Sequence, residues 1–437
     1  MRGAAAVGRP LWEDTADPAP DAPMLDGDIA CDVAVVGAGI LGLSAALALA
    51  EAGLRVVVLE AHAIGAGASG RNGGLVVPSL PRIGPELLAE KLGPRRGPQL
   101  ARLVAGSAAA TFALIRRLGI ACDAVQAGWL NPAHAAVLAP RVEARVQAWR
   151  AAGAGCVWLD AAQARARMGS ERFHGALFDP TGGHLDPLAY ARGLARAVLA
   201  AGGVLHTGAD VTAATRDAAG WTLATLGGTV RAGRVLQCTN AQLPGMPDIG
   251  GGAAALRDST VPLLVYQLAT QAFAPPTRAQ VLPGNEAFSD TRNNLLACRW
   301  TAGGRLVTGG MASVHAGAMA RLPGVLARRL QAVFPTLGPV RFEYVWRGRA
   351  SLTGDFVPRL FEPAEGWLAP IACNGRGIAL TTVLGRALGE ALAAGRLEDL
   401  PLPLVVPRPI RPRALARLAP QWLLPLGDWQ DRKAERG

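Results

Sequence analysis

The clearest pattern of hydrophobic and polar positions lies near the start of the chain. After the acidic Asp32, every residue from Val33 to Val36 is apolar, as a parallel strand covered on both faces requires. A glycine-rich turn follows, then a helical stretch of small and apolar residues to about Glu51, and a second strand-like run over 55–59, which is apolar after Arg55. This order predicts a strand–helix–strand unit with two parallel strands.

Further along the chain, helical and strand-like patterns alternate. We expect helices over about 86–118, 140–152, 186–201 and 378–394, and short strands separated by turn residues over 203–238 and 262–310. The first 27 residues are predicted to be extended, and the chain from residue 401 onward is rich in proline and arginine. The alternation predicts a strand–helix–strand domain interleaved with a more strand-rich domain.

The turn after the first predicted strand has the spacing Gly-x-Gly-x-x-Gly. Gly37 allows the tight turn, Gly39 lets the backbone approach a pyrophosphate, and Gly42 allows the helix to pack closely on the strand. The helix N-terminus offers free N–H groups to phosphate oxygens. Glu60 ends the second strand, where a carboxylate accepts hydrogen bonds from ribose hydroxyls. The pattern predicts dinucleotide binding and leaves NAD and FAD open.

Composition narrows the class of protein. Half of the 437 residues are hydrophobic and 18% are charged, which excludes global disorder. The net charge of +11 comes almost entirely from dispersed arginines, since Lys91 and Lys433 are the only lysines, and we predict no nucleic-acid partner. The cysteines form no Cys-x-x-Cys pair and the histidines have no ligand spacing. We therefore predict no metal site and a reducing, cytoplasmic location.

One uncharged run, 33–50, reaches the lower length limit for a membrane-spanning helix. Its spaced glycines belong to the nucleotide-binding turn, so we predict no integral membrane span. We also expect no secretory signal, because the first twenty residues contain no apolar core. For the basic C-terminal tail, packing on its own domain is favoured over contact with a membrane surface.

A second glycine-rich loop follows Glu60, and it identifies a family. Its run Ser69-Gly70-Arg71-Asn72-Gly73-Gly74 resembles the D-amino-acid oxidase superfamily of FAD-dependent oxidoreductases, especially the branch related to γ-glutamylputrescine oxidase. Glycines at this spacing suit a backbone wrapped around a flat ligand. Other matching segments are Trp12, 182–187, 235–241, 305–310, 346–348, 353–358 and 374–377.

The resemblance implies an α/β fold with two interleaved domains. A Rossmann-type FAD-binding domain would take residues 28–80, 185–245 and 346–400. An α+β substrate domain, built on a mostly antiparallel sheet, would take residues 81–184 and 246–345. Residues 1–27 would form an extended N-terminal segment and residues 401–437 a basic tail.

The resemblance also implies FAD as the cofactor and indicates which residues bind it. The expected residues are Gly37, Gly39, Ile40, Leu41 and Gly42 at the first turn, Glu60 at the ribose, Ser69, Gly70, Arg71, Asn72, Gly73 and Gly74 along the pyrophosphate and isoalloxazine, Val211 at the adenine, and Gly375, Arg376 and Gly377 at the flavin pyrimidine. A helix that begins near Gly377 directs its positive end outward, where it stabilises negative charge on reduced flavin.

The link to the cofactor is predicted to be noncovalent. Family members with a flavin attached to cysteine carry that cysteine in the loop where this chain has Gly348. Members that use histidine carry it near the second glycine-rich loop, whose Ser69-Gly70-Arg71 run contains none. Cys373 lies beside the C-terminal loop, and we expect it to be a small buried residue rather than a flavin link.

The implied reaction is oxidation of a C–N bond of an amine by hydride transfer to flavin N5, which gives an imine that hydrolyses. This chemistry requires no strong acid or base, and the sequence shows no obvious catalytic side chain. The electron acceptor is oxygen or another acceptor. Related fast oxidases place a lysine above the flavin, and the matching stretch near 306–308 has none, so we expect slow oxygen use. The alternatives are an oxidase or dehydrogenase of an α-amino acid (glycine, sarcosine or a D-amino acid) and a non-catalytic FAD-binding subunit.

The substrate class depends on two arginine positions. Members that act on α-amino acids hold the carboxylate with arginine, whose fork of donors matches two oxygens. Counting along the matching loops places Ala350 and Gly375 at these positions, although Arg349 and Arg376 are adjacent and a slip of one residue remains open. In this alignment neither position carries an arginine that could hold a carboxylate. An amine without an adjacent carboxylate is therefore the expected substrate.

Three residues are predicted to line the substrate pocket: Arg299, Trp300 and Arg349. Arg299 would meet a distant acidic end of the substrate, and Trp300 would cover an alkyl chain. The alternative for Arg299 and Trp300 is a purely structural pair on a strand.

Overall fold

Two large β-sheets organise the computed structural model, which describes residues 6–240, 252–371 and 374–436. The first sheet is centred on Ile29–Val36, the predicted first strand, with Val56–Leu59 and Gly228–Gln237 parallel to it on either side. The sheet continues through Val204–His206 on one side and through Trp367–Ile371, Arg359–Ala364 and Leu404–Val405 on the other. Ala213–Asp217 and Gly220–Thr225 extend Gly228–Gln237 as an antiparallel ribbon.

Helices cover this sheet and explain the uncharged run. Ile40–Glu51 follows the first strand and is buried on nearly every side, which requires the apolar composition that also suits a membrane span. It packs against Ile378–Ala394, where Gly385 and Gly389 let the two backbones approach. Pro187–Ala200 also packs on Ile40–Glu51. The largest apolar core of the described residues lies among these elements.

The second sheet is mostly antiparallel, as predicted. Among the described residues its strands, in spatial order, are Ala6–Val7, Phe342–Leu352, Val261–Ala272, Arg305–Gly310, Ala297–Trp300, Ala287–Ser289, Trp129–Pro132, Ala176–Asp179 and Val157–Leu159. Two neighbouring pairs are parallel, the first strand with the second and Ala287–Ser289 with Trp129–Pro132. The longer helices outside the first domain are Pro85–Leu118, Ala139–Ala151, Ala161–Met168, Ala318–Val333 and Arg413–Ala434. This architecture confirms the predicted α/β class.

Short elements complete the described part of the chain. Leu75–Val76 and Gly183–His184 form a two-stranded ribbon directly after the second glycine-rich loop. Short helices are Trp12–Thr15, Gly252–Asp258 and Pro275–Arg278, and single 3-10 turns are Ala68–Gly70, Ala136–Leu138, Pro335–Leu337 and Leu397–Asp399.

Three elements depart from the predicted domain division. Phe342–Leu352 crosses the boundary placed at residue 346. The N-terminal segment is not extended throughout, because Trp12–Thr15 is helical. Ala6–Val7 adds a strand to the second sheet, and Gly8 N–H donates to the Val345 carbonyl at 2.8 Å. In the tail, Leu404–Val405 joins the first sheet. Both chain ends gain main-chain partners at sheet edges, which local sequence patterns do not report.

The C-terminal helix Arg413–Ala434 packs on the strand-rich domain. Asp431 accepts hydrogen bonds from the backbone N–H and the side-chain amide of Asn293, both at 2.9 Å. Gly427 lies against Asn293, close enough that a Cβ would be 2.5 Å from the Asn293 Cβ. The tail therefore packs on its own domain, as the sequence analysis favoured, although Trp422 and Trp429 remain exposed.

By length and composition, one described helix could cross a membrane. In Pro85–Leu118, 56% of the apolar window is buried inside the protein. The backbone also leaves helical geometry at Gly93, where φ is 80°. Buried core helices of soluble proteins pass the same test, so the helix is weak evidence for a span.

Candidate active site

A cavity of about 1060 Å³ is lined by both glycine-rich turns and by strands of the second sheet. Of the predicted residues, the lining contains Gly37, Gly39, Ile40, Leu41, Glu60, Ser69, Arg71, Asn72, Gly73, Val211, Arg349, Gly375, Arg376 and Gly377. Gly42, Gly70 and Gly74 are not part of the lining and lie against the backbone behind it. The structure thus brings together residues that the sequence separates by more than 300 positions.

The first turn shows why its glycines are needed. Gly37 has φ +107°, and a Cβ there would lie 3.0 Å from the Cys238 carbonyl oxygen. A Cβ on Gly42 would overlap the Gly37 carbonyl oxygen and crowd Val35 at 3.2 Å. The turn therefore closes only with hydrogen at these positions, and the N-terminus of Ile40–Glu51 meets the cavity.

Glu60 is fixed at the end of the second strand by main-chain donors. Its Oε2 accepts a hydrogen bond from Ala38 N–H at 2.8 Å, and its Oε1 accepts one from His62 N–H at 3.0 Å. The side chain of Ser69 reaches the same turn, where its Oγ accepts from Ile40 N–H at 3.0 Å. These contacts hold the carboxylate and both glycine-rich turns in one arrangement at the cavity wall.

The second glycine-rich loop is held by donors from three distant parts of the chain. Consecutive carbonyls accept hydrogen bonds at 2.9 Å each: Arg71 from Trp346 Nε1, Asn72 from Trp12 Nε1, and Gly73 from Arg299 Nε. The two tryptophan rings meet edge to face at 5.9 Å. None of these three donors lines the cavity, so they contact the side of the loop backbone that faces away from it. The other side of the loop faces the cavity.

The expected substrate-lining role is wrong for Arg299 and Trp300. Arg299 is 1% exposed, and besides Gly73 it donates to the Leu185 carbonyl at 2.8 Å while its guanidinium stacks on Trp12 at 4.6 Å. Burial lowers the pKa of Arg299 to about 10. Trp300 points to the opposite face of the strand and donates to the Val281 carbonyl at 2.7 Å. The pair supports the loop and the core, which is the structural alternative.

Comparison with known proteins places this arrangement in a family. The family model described as "FAD dependent oxidoreductase" (DAO) matches residues 32–391. The chain belongs to this family. It is 31% identical to gamma-glutamylputrescine oxidoreductase of Escherichia coli K12 over 84% of this chain and 85% of the relative. It is 27% identical to the probable oxidoreductase OrdL of Rhizobium meliloti over 90% of each chain.

Two solved structures share the fold of this chain. The glycine oxidase of Geobacillus kaustophilus superposes with a TM-score of 0.69 at 23% identity, covering 85% of this chain and 96% of that one. The L-proline dehydrogenase of P. horikoshii also gives 0.69, at 17% identity, covering 87% and 96%. The DAO family uses FAD, so the chain is an FAD-dependent oxidoreductase that acts on amines or amino acids.

The positions at which relatives carry a flavin-linking cysteine or a carboxylate-binding arginine lie at the cavity in this chain. Gly348, Ala350 and Gly375 all line it, and so do the neighbouring Arg349 and Arg376. Neither Lys91 nor Lys433, the two lysines of the chain, is part of the lining. Cys373 lies outside the described residues.

Sequence reasoning missed two parts of the lining. Gln267, in the middle of the second sheet, lies so close to the second loop that a Cβ on Gly73 would be 3.0 Å from its Oε1. Leu423 and Gln430 of the C-terminal helix also line the cavity. A single glutamine on an apolar strand forms no motif that the sequence could reveal. The sequence of the C-terminal helix likewise contains no motif that predicts contact with a pocket.

His184 lies in the ribbon behind the loop and not at the cavity. Its Nε2 contacts the Asn285 carbonyl at 3.1 Å, and burial, with the nearby charge of Arg299, lowers the pKa of His184 to about 3. In the unfolded chain this pKa is about 6.5.

This difference gives an expected pH dependence. Between about pH 6.5 and 3 the unfolded chain binds a proton at residue 184 that the folded protein does not bind, so the free energy of unfolding falls as the pH falls. His184→Gln should flatten the slope by up to about 1.4 kcal/mol per pH unit in this window. Denaturant unfolding of both proteins from pH 7 to 4 measures it, and parallel curves would contradict the burial argument.

Proposed function

We propose that this FAD-dependent oxidoreductase oxidises the C–N bond of an amine. The observation that carries the proposal is one continuous cavity, which runs from the two glycine-rich turns to the strands of the second sheet. An amine held on those strands would lie beside a flavin held by the turns. The 31% identical relative, a gamma-glutamylputrescine oxidoreductase by name, supports an amine as substrate.

The residues at the turns fit FAD. Gly37, Gly39 and the first residues of Ile40–Glu51 would hold the pyrophosphate, because the cradle has no room for side chains and ends at a helix N-terminus. Glu60 would accept hydrogen bonds from the ribose, and Val211 would adjoin the adenine. The 69–74 loop and 375–377 would enclose the isoalloxazine, with the N-terminus of Ile378–Ala394 near its pyrimidine edge.

When bound, FAD supplies the acceptor for the electrons and hydrogen that leave the amine. The protein's own contribution is to position the substrate and exclude water. The acidic and histidine side chains of the described lining are Glu60, His62 and Asp210, all of them close to the ribose end in the proposed arrangement. The second sheet presents Gln267 and Val307 instead, which bind and orient without transferring protons.

An amine is proposed over an α-amino acid because Ala350 and Gly375 line the cavity without a charge. The sequence analysis matched these two positions to the arginines that hold the carboxylate in relatives acting on α-amino acids. Arg349 is exposed and alternates with Ala350 along its strand, so the two side chains leave opposite faces. Steady-state kinetics on γ-glutamyl amines, polyamines, glycine, sarcosine and D-alanine test this choice. A kcat/KM for an α-amino acid above that of every amine would contradict it and favour the amino-acid alternative.

The bound FAD should be released by acid. Gly348 lines the cavity at the position where some relatives carry a cysteine, and a Cβ there would already lie 3.4 Å from that of Arg71. With no cysteine at that position, we expect free FAD in the supernatant after acid precipitation. Flavin that stays with the precipitated chain would disprove noncovalent binding.

Oxygen should reoxidise the reduced enzyme slowly. A lysine near the flavin would stabilise the negative charge that develops on oxygen, but Lys91 pairs with Asp355 at 3.8 Å and Lys433 stacks on Trp429. Stopped-flow mixing of reduced enzyme with aerated buffer, beside an artificial acceptor, measures both rates. Faster reoxidation by oxygen than by the artificial acceptor would remove the proposal that another acceptor is used.

We also propose a cytoplasmic location. Cys31, Cys122, Cys156, Cys238 and Cys298 are all free thiols in the described part of the chain. Free buried thiols are typical of proteins in a reducing compartment.

A further inference from the structure

The C-terminal helix Arg413–Ala434 carries a row of exposed apolar side chains. Leu418, Trp422 and Leu426 follow one another at four-residue spacing, and Trp429 continues the row one turn later, so all four lie on one face of the helix. Their exposed fractions are 41%, 74%, 49% and 54%. These four residues are called the outer face. Large apolar side chains gathered in this way mark a contact surface.

The opposite side of the same helix is already occupied by the strand-rich domain. Leu424 and Asp431 are buried, and Gly427 lies against Asn293. Because these residues alternate with the outer face around the helix, packing on the domain leaves the outer face uncovered. The helix can therefore stay packed on its own domain and contact a further partner at the same time.

The charges of the helix are divided between its two sides. Lys433 is exposed and continues the row from Trp429, with its Nζ 5.7 Å from the centre of that ring, and Arg432 beside it is also exposed. The acidic side chains lie toward the domain, since Asp431 accepts hydrogen bonds from Asn293 and Asp428 is partly buried. The apolar row thus continues into cations and not into carboxylates.

We propose that the outer face docks the enzyme on an anionic lipid bilayer, with the helix lying in the plane of the membrane surface. Tryptophan and leucine fit the boundary between headgroups and acyl chains, and lysine and arginine fit anionic headgroups. A second copy of the chain fits less well, because two proteins with a net charge of +11 repel each other. Such a contact needs no membrane-spanning segment.

The same helix connects the docking surface to the cavity. Leu423, Leu426 and Gln430 line the cavity, so docking would place the cavity beside the lipid headgroups. Trp422 and Trp429 are not part of the lining. Both tryptophans can therefore be replaced without changing the cavity wall.

Sedimentation of the full-length, FAD-loaded enzyme with lipid vesicles tests the proposal. We expect vesicles of equimolar phosphatidylcholine and phosphatidylglycerol to bind at least about tenfold more tightly than phosphatidylcholine alone, and added salt to weaken the binding. Trp422→Gln and Trp429→Gln together should weaken binding about 100-fold, because two rings lose their contact with lipid while every charge stays. Lys433→Gln should weaken it about fivefold.

Two exposed residues elsewhere supply matched controls. Leu226, 86% exposed, lies in the turn between Gly220–Thr225 and Gly228–Gln237, and Leu226→Gln removes an apolar side chain without touching the helix. Arg150 is exposed on Ala139–Ala151, and Arg150→Gln removes the same charge as Lys433→Gln. Both controls should bind the anionic vesicles as the native enzyme does.

Three results would overturn the proposal. The first is equal binding of the native enzyme and the double tryptophan variant, since the net positive charge alone would then hold the protein on the vesicles. The second is equal or absent binding to the two kinds of vesicle. The third is a native dimer that the double variant converts to a monomer, which would assign the outer face to a second copy. If the double variant does not fold, brominated phosphatidylglycerol decides, because it should quench the tryptophan fluorescence of the native enzyme, and no quenching would also overturn the proposal.

Discussion

Replacing Gly42 by alanine should cost the protein its FAD. The added Cβ would overlap the Gly37 carbonyl oxygen and lie 3.1 Å from the Cys238 Cβ, so the helix Ile40–Glu51 must move away from the turn. A forced shift of this kind costs about 1–3 kcal/mol, and the moved helix loses its alignment with the pyrophosphate. We expect the FAD dissociation constant to rise about 100-fold or more, measured by fluorescence titration of the apoprotein.

Gly106→Ala is the matched control for this substitution. Gly106 lies in the long helix Pro85–Leu118 with no atom within 4 Å of its Cβ position, so alanine should leave FAD binding unchanged. Since alanine favours helix over glycine, the control should also unfold at an equal or higher temperature. Equal FAD affinity in Gly42→Ala and the native protein would show that the turn is not the pyrophosphate site.

Arg299→Met should loosen the second glycine-rich loop. The substitution leaves the buried carbonyls of Gly73 and Leu185 without their donor and removes the cation that stacks on Trp12. Each unsatisfied buried carbonyl costs about 1–3 kcal/mol, so we expect the free energy of unfolding to fall by about 3 kcal/mol or more. We also expect FAD affinity to fall, because the loop lines the cavity.

Thermal unfolding and FAD titration together measure this effect. Arg278→Met is the control, since Arg278 stacks on the Trp300 ring at 5.7 Å without reaching the loop. Arg299→Lys should recover part of the stability, because one ammonium still donates to a carbonyl. Full retention of both FAD affinity and stability in Arg299→Met would contradict the role of the three donors in holding the loop.

The sequence predicted those parts of the fold whose causes are local. The strand Ile29–Val36, the helix Ile40–Glu51 and the long last core helix lie within a few residues of their expected bounds. Apolar periodicity and the glycine spacing act over short distances, so they are visible without the structure. Glu60 at the end of the second strand follows from the same local geometry.

The substrate side was less predictable because its contacts join distant residues. Arg299 reaches a carbonyl 226 positions away, and Arg376 meets a serine 297 positions away. A strand places neighbouring side chains on opposite faces, so assigning Arg299 and Trp300 to one pocket required a shared face that the strand does not provide.

Anaerobic mixing of the purified, FAD-loaded protein with a panel of amines tests the central claim most directly. The flavin absorbance in the visible range reports reduction without depending on the electron acceptor. The account predicts that at least one amine bleaches the flavin. A flavin that dithionite bleaches but that no amine or amino acid reduces would contradict the account and identify a non-catalytic FAD-binding protein.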